Sequence, residues 1–398
     1  MNIQLLKNIN YMVLAQLANY AMPLLLVPYL IRVLGIYSFG EFSVAQAVIN
    51  VGIIIVQFGF NIYMTKHIAE KIKQQQTINS LISTAFILQL AIACCLIAIM
   101  AIINWQYQEK ITQFMLLYSF VWLGQAMFPI WYFQGLQQFK QLAVINFLLR
   151  FITFICIILW VKHTDHFFRV AAVYVFSYLS IGLLVSFIIW RRYTFCWPEF
   201  KQVRALLNNT KGLFFSNIIS VILINLPVFC LNQIVSKSEV GAFSAILRVV
   251  YAVKGLLGTS FQVLIPSFIN DSKKVNTKKV VSIVLLILLV IVQVLLWGKE
   301  PLLSLLYGSK ELLLDINQQY IILILSIIPG GLGTLFVFVF ATYYGRFYIR
   351  GHVFIRVLVV AALLYYPSIQ FFGGLGAALV ILLNDILLCL LGRRVIRD

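Results

Sequence analysis

Residues 8–42 read NINYMVLAQLANYAMPLLLVPYLIRVLGIYSFGEF, and the fold is decided by how this stretch is read. Residues 8–31 are apolar and long enough to cross a hydrocarbon core of roughly 30 Å as a helix, with Lys7 before them and Arg32 after them. A span needs only to be greasy, yet this one also carries Gln16, Asn19, Pro23 and Pro28. A proline inside a helix frees a backbone carbonyl. In lipid that is tolerated where neighbouring protein or a wet cavity meets the carbonyl. The first helix is therefore expected to line something polar.

Composition points the same way. Hydrophobic residues make up 62% of the 398-residue chain and charged residues 11%, against about 25% charged in soluble domains. A formal net charge of +18 would suit a nucleic-acid binder if the charges formed a face. They fall instead in short loops between apolar runs, the pattern of a bilayer-embedded protein with basic cytoplasmic loops, so no nucleic-acid partner is expected. The N-terminal apolar run is longer than a secretory h-region and no A-x-A-like site closes it, so it is expected to stay in the mature protein. Cys94, Cys95, Cys156, Cys230 and Cys389 lie in apolar runs and Cys196 in a loop. With no C-x-x-C spacing, no disulfide is expected.

Hydropathy gives twelve spans, at 8–31, 42–64, 80–103, 111–133, 142–161, 168–190, 211–231, 240–269, 280–298, 317–343, 353–371 and 374–391. The last two are separated only by Gly373, Gly374 and Gly376, with Pro367 weakening the helix before them. One alternate set of loops holds nineteen Lys and Arg residues. The other holds seven: Arg32, Lys110, Lys162, Arg169, Lys237, Lys299 and Lys310. This asymmetry predicts that both termini are cytoplasmic. The longest hydrophilic interruption, Arg191 to Lys211, falls midway. It divides the chain into an N-terminal six-helix lobe at 1–190, a basic cytoplasmic linker at 191–210 and a C-terminal six-helix lobe at 211–398. Gly40, Phe42, Ser43, Ala45 and Val48 are echoed by Gly241, Phe243, Ser244, Ile246 and Val249, and Pro28 by Pro227. The fold expected is thus an all-α integral membrane protein of about twelve transmembrane helices, in two parallel six-helix lobes related by a pseudo-twofold along the membrane normal.

Pro23, Pro28, Tyr29, Leu30, Arg32, Leu34, Gly35, Phe39, Gly40 and Phe42, in the spacing PxxxxPYLxRxLGxxxFGxF, resemble the opening signature of the polysaccharide transporters. These are the Wzx-type flippases of lipid-linked O-antigen units, within the multidrug/oligosaccharidyl-lipid/polysaccharide exporter superfamily. Phe58, Gly59, Phe60 and Asn61, followed by Lys66, His67, Ile68 and Ala69, resemble the end of the same family's second helix. The resemblance implies a flippase of the bacterial inner membrane. Its substrate would be an undecaprenyl-diphosphate-linked oligosaccharide, an O-antigen or related surface-polysaccharide unit, carried to the outer leaflet by alternating access. The implied partners are that lipid-linked substrate, membrane lipids and, as candidates, polysaccharide-assembly proteins. Two alternatives stay open: a membrane-embedded polysaccharide polymerase or ligase, and a small-molecule exporter of the same superfamily. The polymerase is disfavoured by short outer loops, and the exporter of cationic drugs by basic rather than acidic groups in the spans.

No catalytic constellation emerges, and neither cofactor nor metal is expected. His163 and His166 read as loop residues without further ligands, Cys94 and Cys95 as packing, and nothing resembles a phosphate-binding loop. Charges within spans are more telling, because they are costly in lipid and face protein or wet cavities. Arg248 and Lys254 share the eighth span, about 120° apart around the helix, and both are candidates to border a cavity for an anionic substrate. Arg150 and Arg356 occupy similar places in the fifth and eleventh spans. Arg32 reads as an interfacial anchor, and the resemblance adds a second role, presentation of a cation to a diphosphate, which a guanidinium fork suits. Asp385, the acid placed deep in a span, is the candidate for ion coupling, with pairing to a nearby Arg as the simpler account. Gln16, Asn19, Gln57 and Asn61 are candidate cavity-lining residues and equally candidate glue between helices.

Overall fold

A computed structural model describes residues 3–74, 77–270, 277–308, 312–341 and 347–397. The side chains of 3–18, 259–260, 262–270, 312–315, 347–350 and 395–397 are not described, so that of Gln16 lies outside the described residues, as do those of Lys7, Lys273, Lys274, Lys310, Arg346, Arg350 and Arg397. The chain is helical, with no strand among the described residues. Among the described residues, ten segments are long and apolar enough to span a membrane. Two of them, Asn19–Lys73 and Gly351–Arg394, each hold a pair of the expected spans.

The joints within those pairs are glycines. Helix α1, Ile3–Gln57, is interrupted at Gly35, with φ 81° and ψ 159°. A side chain at that φ would be strained, which explains a glycine at the centre of the signature. The second span consequently starts directly after Gly35 and not at residue 42. It ends at Gln57, where Phe58 and Gly59 both take positive φ before α2, Phe60–Lys73. The other long helix, Phe347–Arg397, breaks at Gly373, φ 54° and ψ −137°, where the sequence placed the boundary between its last two spans.

By their contacts the residues form two compact units, Met1–Asn19 with Ala45–Ile222, and Tyr20–Val44 with Leu223–Asp398. The first holds α2, α3 (Asn79–Tyr107), α4 (Lys110–Ser119), α5 (Val121–Ala126), α6 (Ile130–Gly135), α7 (Phe139–Trp160), α8 (Phe167–Trp190) and the start of α9 (Phe200–Ile234). The expected fourth span is thus three short helices. Pro129, extended at φ −75° and ψ 94°, lacks the N–H needed to continue a helix across the last joint. Buried indoles find acceptors, as they must: Trp122 Nε1 donates to the Ile49 carbonyl at 3.0 Å, and Trp131 Nε1 to Gln89 Oε1 at 3.3 Å. The FGFN motif is a packing device. A Cβ on Gly59 would lie 2.9 Å from Leu213 Cβ, and Phe58 stacks on Phe214 at 4.4 Å.

The second unit adds α10 (Lys237–Asn270), α11 (Thr277–Trp297), α12 (Lys299–Tyr307), α13 (Leu312–Leu325), α14 (Ile327–Thr334) and α15 (Phe347–Arg397). A π-helical stretch, Leu335–Phe340, follows α14. The two copies of the repeat motif meet here through their glycines: a Cβ on Gly241 would stand 3.0 Å from the Gly40 nitrogen, and one on Gly40 would strike the Lys237 carbonyl. Lipid supplies no hydrophobic drive between helices, so such close backbone approach, with its dispersion contacts, is what joins them. The lipid-facing side keeps its apolar residues. On α11, Val284, Leu288 and Val292 are buried while Leu286, Leu289, Val290 and Val294 are exposed, which is the all-round apolar pattern of a span. Trp105, Trp160 and Trp297 are exposed at the C-terminal ends of α3, α7 and α11, positions that suit an interfacial aromatic belt.

Candidate functional site: paired charges within the spans

In the second unit, α10, α13, α14 and α15 converge on Lys254. Its ammonium donates to Asp385 Oδ2, which the sequence does not pair with it, and to Ser326 Oγ at 3.0 Å. Both charged side chains are largely buried, 14% and 16% exposed. Ser326 is fixed in turn by donating to the Leu323 carbonyl at 2.7 Å. Space for the pair comes from Gly330, where a Cβ would lie 2.8 Å from Asp385 Oδ1 and 2.9 Å from Lys254 Cε. Gly330 follows Pro329, so the local helix is both weakened and thin where the charges meet. On the same helix as Lys254, the Tyr251 hydroxyl donates to the Ile224 carbonyl at 3.1 Å.

Such a pair is costly to bury and costly to break. Desolvation of two ions roughly cancels their attraction, but removing either partner strands a charge in low dielectric. Neutralising Asp385, by a proton or a bound cation, would therefore release Lys254. An ammonium has three donors, so the released group could bond an anionic oxygen in place of the carboxylate.

Six residues earlier on α10, Arg248 is held differently. Its guanidinium lies over the rings of Phe39 and Phe42, at 4.9 and 5.3 Å from their centroids, and donates to Ser43 Oγ at 3.3 Å. Ser43 donates onward to the Phe39 carbonyl at 2.8 Å. The signature's two phenylalanines are thus the seat of an in-span cation. In the first unit Arg150 Nε donates to Asn19 Oδ1 at 3.2 Å, and the guanidinium carbon stands 6.0 Å from the Tyr178 ring. Arg32 is exposed and donates to the Leu305 carbonyl at 2.8 Å, so it caps the C-terminal turn of α12, where the helix dipole favours a cation. Arg356 is exposed on α15.

Of the expected site residues, then, Lys254 meets Asp385, Arg150 meets Asn19, and Asn61 Nδ2 donates to Gln57 Oε1 at 3.1 Å across the break at Phe58 and Gly59. Ser326 and Gly330 are additions that the sequence reading missed. Their signal was the Ser-x-x-Pro-Gly-Gly run at 326–331, because broken helices in spans mark sites in transporters. His163 and His166 meet edge to face with ring centroids 5.1 Å apart, and no three-ligand metal cluster occurs among the described residues.

Residues 5–271 match the family described as "Polysaccharide biosynthesis protein". The chain belongs to that family. A protein of Escherichia coli (strain K12) described as "Putative O-antigen transporter" is 24% identical over 405 residues, covering 97% of this chain and 95% of that one. One from Shigella dysenteriae with the same description is 24% identical, covering 96% and 98%. Among solved structures, the lipid II flippase MurJ in an inward closed conformation superposes with a TM-score of 0.78 at 12% identity, over 99% of this chain and 88% of that one. An inward-facing multidrug resistance MATE family transporter of the MOP superfamily gives 0.71 at 14% identity, over 100% and 96%. At these identities the structures speak for the fold, and the family member described here is a multi-pass membrane protein of that fold.

Proposed function

We propose that this polysaccharide biosynthesis family member is a flippase for an undecaprenyl-diphosphate-linked oligosaccharide, an O-antigen or related surface-polysaccharide unit, and not an enzyme. It would reside in the bacterial inner membrane with both termini cytoplasmic and expose its in-span cations to the two leaflets in turn. The observation that carries this reading is the buried Lys254, whose counter-charge among the described residues is the Asp385 carboxylate of the same unit. A cation held by a titratable partner can grip a diphosphate when the partner is neutralised and release it when the carboxylate returns. Arg248, Arg150, Arg32 and Arg356 are the remaining candidates for the anion's path, and Asn19, Gln57 and Asn61 for contact with sugar hydroxyls. The relatives described as O-antigen transporters support the cargo class.

The test is reconstitution of the purified chain in liposomes containing fluorescent undecaprenyl-diphosphate glycan, with and without a pH or sodium gradient. Appearance of glycan on the opposite leaflet is expected. Lys254→Ala should abolish it while the protein still purifies as a folded species. Lengthening of the glycan would assign a polymerase instead, and export of a cationic dye without glycan movement a drug exporter.

A further inference from the structure

The linker between α8 and α9 is not merely a connection. Two hydrogen bonds strap it to the first turns of α3, Asn79 Nδ2 donating to Thr194 Oγ1 at 2.6 Å and the Cys196 backbone N–H to Ser83 Oγ at 3.1 Å, and the first turn of α9 adds a third, Ser80 Oγ donating to Gln202 Oε1 at 2.7 Å. Between strap and helices lies a cleft of about 380 Å³, lined by Phe86, Trp190, Tyr193, Thr194 and Phe195. Its walls are preset by ring packing: Phe86 meets Trp190 edge-on at 5.3 Å, and Trp190 meets Phe195 at 5.4 Å. The size falls in the range of about 300 to 1,000 Å³ typical of small-ligand sites.

The mouth is basic. Arg191 and Arg192 are exposed between Trp190 and Tyr193, and the segment 191–211 carries Arg191, Arg192, Lys201, Arg204 and Lys211 against the single acid Glu199. Trp197 and Phe200 beside it are 82% and 79% exposed. Rings on display next to arginines, at the level where α8 ends and α3 begins, are what a headgroup interface demands.

We propose that this cleft seats an anionic glycerophospholipid of the leaflet bordering the linker, with part of one acyl chain among the rings and the phosphate against Arg191 and Arg192. Charge complementarity selects an anionic over a zwitterionic headgroup, and the apolar lining selects a lipid over a free anion. The site belongs to the first unit alone, uses none of the in-span charges and does not depend on the transport reading.

Native mass spectrometry of the full-length protein in detergent provides the test, with phosphatidylglycerol and phosphatidylcholine of matched chains as probes. One phosphatidylglycerol should be retained roughly tenfold more tightly than phosphatidylcholine, in line with two arginines near a lipid phosphate. Arg191→Gln with Arg192→Gln should erase that preference and leave phosphatidylcholine binding unchanged, whereas Thr194→Trp, which fills the cleft, should weaken both. Should the double variant fail to fold, each single variant carries the test with a roughly threefold loss. Equal retention of the two lipids by the native chain, or a preference that survives the arginine substitutions, would overturn the proposal. Millimolar inorganic phosphate should displace nothing. Displacement by it would mean a free-anion site, and tighter, arginine-dependent retention of undecaprenyl phosphate would reassign the cleft to the polyprenyl carrier.

Discussion

Arg248 and Lys254 lie six residues apart on one helix and are held by opposite means. Arg248 rests on the faces of Phe39 and Phe42 and on the Ser43 hydroxyl. Lys254 is clasped by Asp385 and Ser326. A guanidinium on aromatic rings keeps its charge at any physiological pH and loses nothing when a proton arrives. An ammonium on a carboxylate is conditional, since one proton or cation on the partner changes its electrostatics outright. The same span thus carries a permanent cation and a switchable one. In the proposed flippase, the first would attract the anion and the second would capture and release it.

The sharpest way to break this contrast is to remove Asp385. Asp385→Ala strands the Lys254 charge, and a loss of about 3 to 5 kcal/mol is expected for breaking a buried pair, read as a large drop in thermal unfolding temperature in detergent. Replacing both partners with apolar residues, Lys254→Met with Asp385→Leu, should restore most of that stability while leaving glycan translocation abolished. A double variant that still translocates at the native rate would reduce the pair to a structural element and collapse the difference between the two cations.

Arg248→Lys sharpens the same comparison from the other side. The charge stays, but the planar group that covers two rings and reaches Ser43 is gone, so about 1 kcal/mol of stability should be lost. Translocation should fall less than with Lys254→Ala. If the two substitutions reduce translocation equally, planarity matters at Arg248 as much as charge does at Lys254, and the permanent cation makes a forked contact with the cargo.

The sequence made much of this visible and hid the rest for physical reasons. The break at Gly373 could be read because three glycines interrupt an otherwise unbroken apolar run, and the repeat could be read from its constant offset. That Gly40 and Gly241 touch was hidden, because an offset in sequence says nothing of distance in space. Lys254 and Asp385 each stood out as charges in apolar spans, yet their partnership is 131 residues long in sequence. Spans that are apolar all round give no face from which to orient a side chain. Pairing of Asp385 with an arginine was the expectation, and a lysine took the place because α10 presents Lys254, not Arg248, toward α15. The proline-glycine break of α14 is hidden as a site for the opposite reason: in a long apolar helix, Pro329 and Gly330 read as tolerated irregularities until the charges they make room for are seen.

Arg32 gives the smallest expected effect and a clean decision. It is exposed, and it donates a hydrogen bond to the Leu305 carbonyl at the end of α12. A cation at a helix C-terminus contributes about 0.3 to 1 kcal/mol, less where solvent screens it, so Arg32→Gln should shift the unfolding temperature by no more than a few degrees. If capping is all that Arg32 does, translocation will change in proportion to that small loss. Stability held near native with translocation reduced tenfold or more would mean that the guanidinium leaves the carbonyl to meet the cargo. Arg32 would then join Lys254 as a conditional cation, held by a backbone dipole where Lys254 is held by a carboxylate.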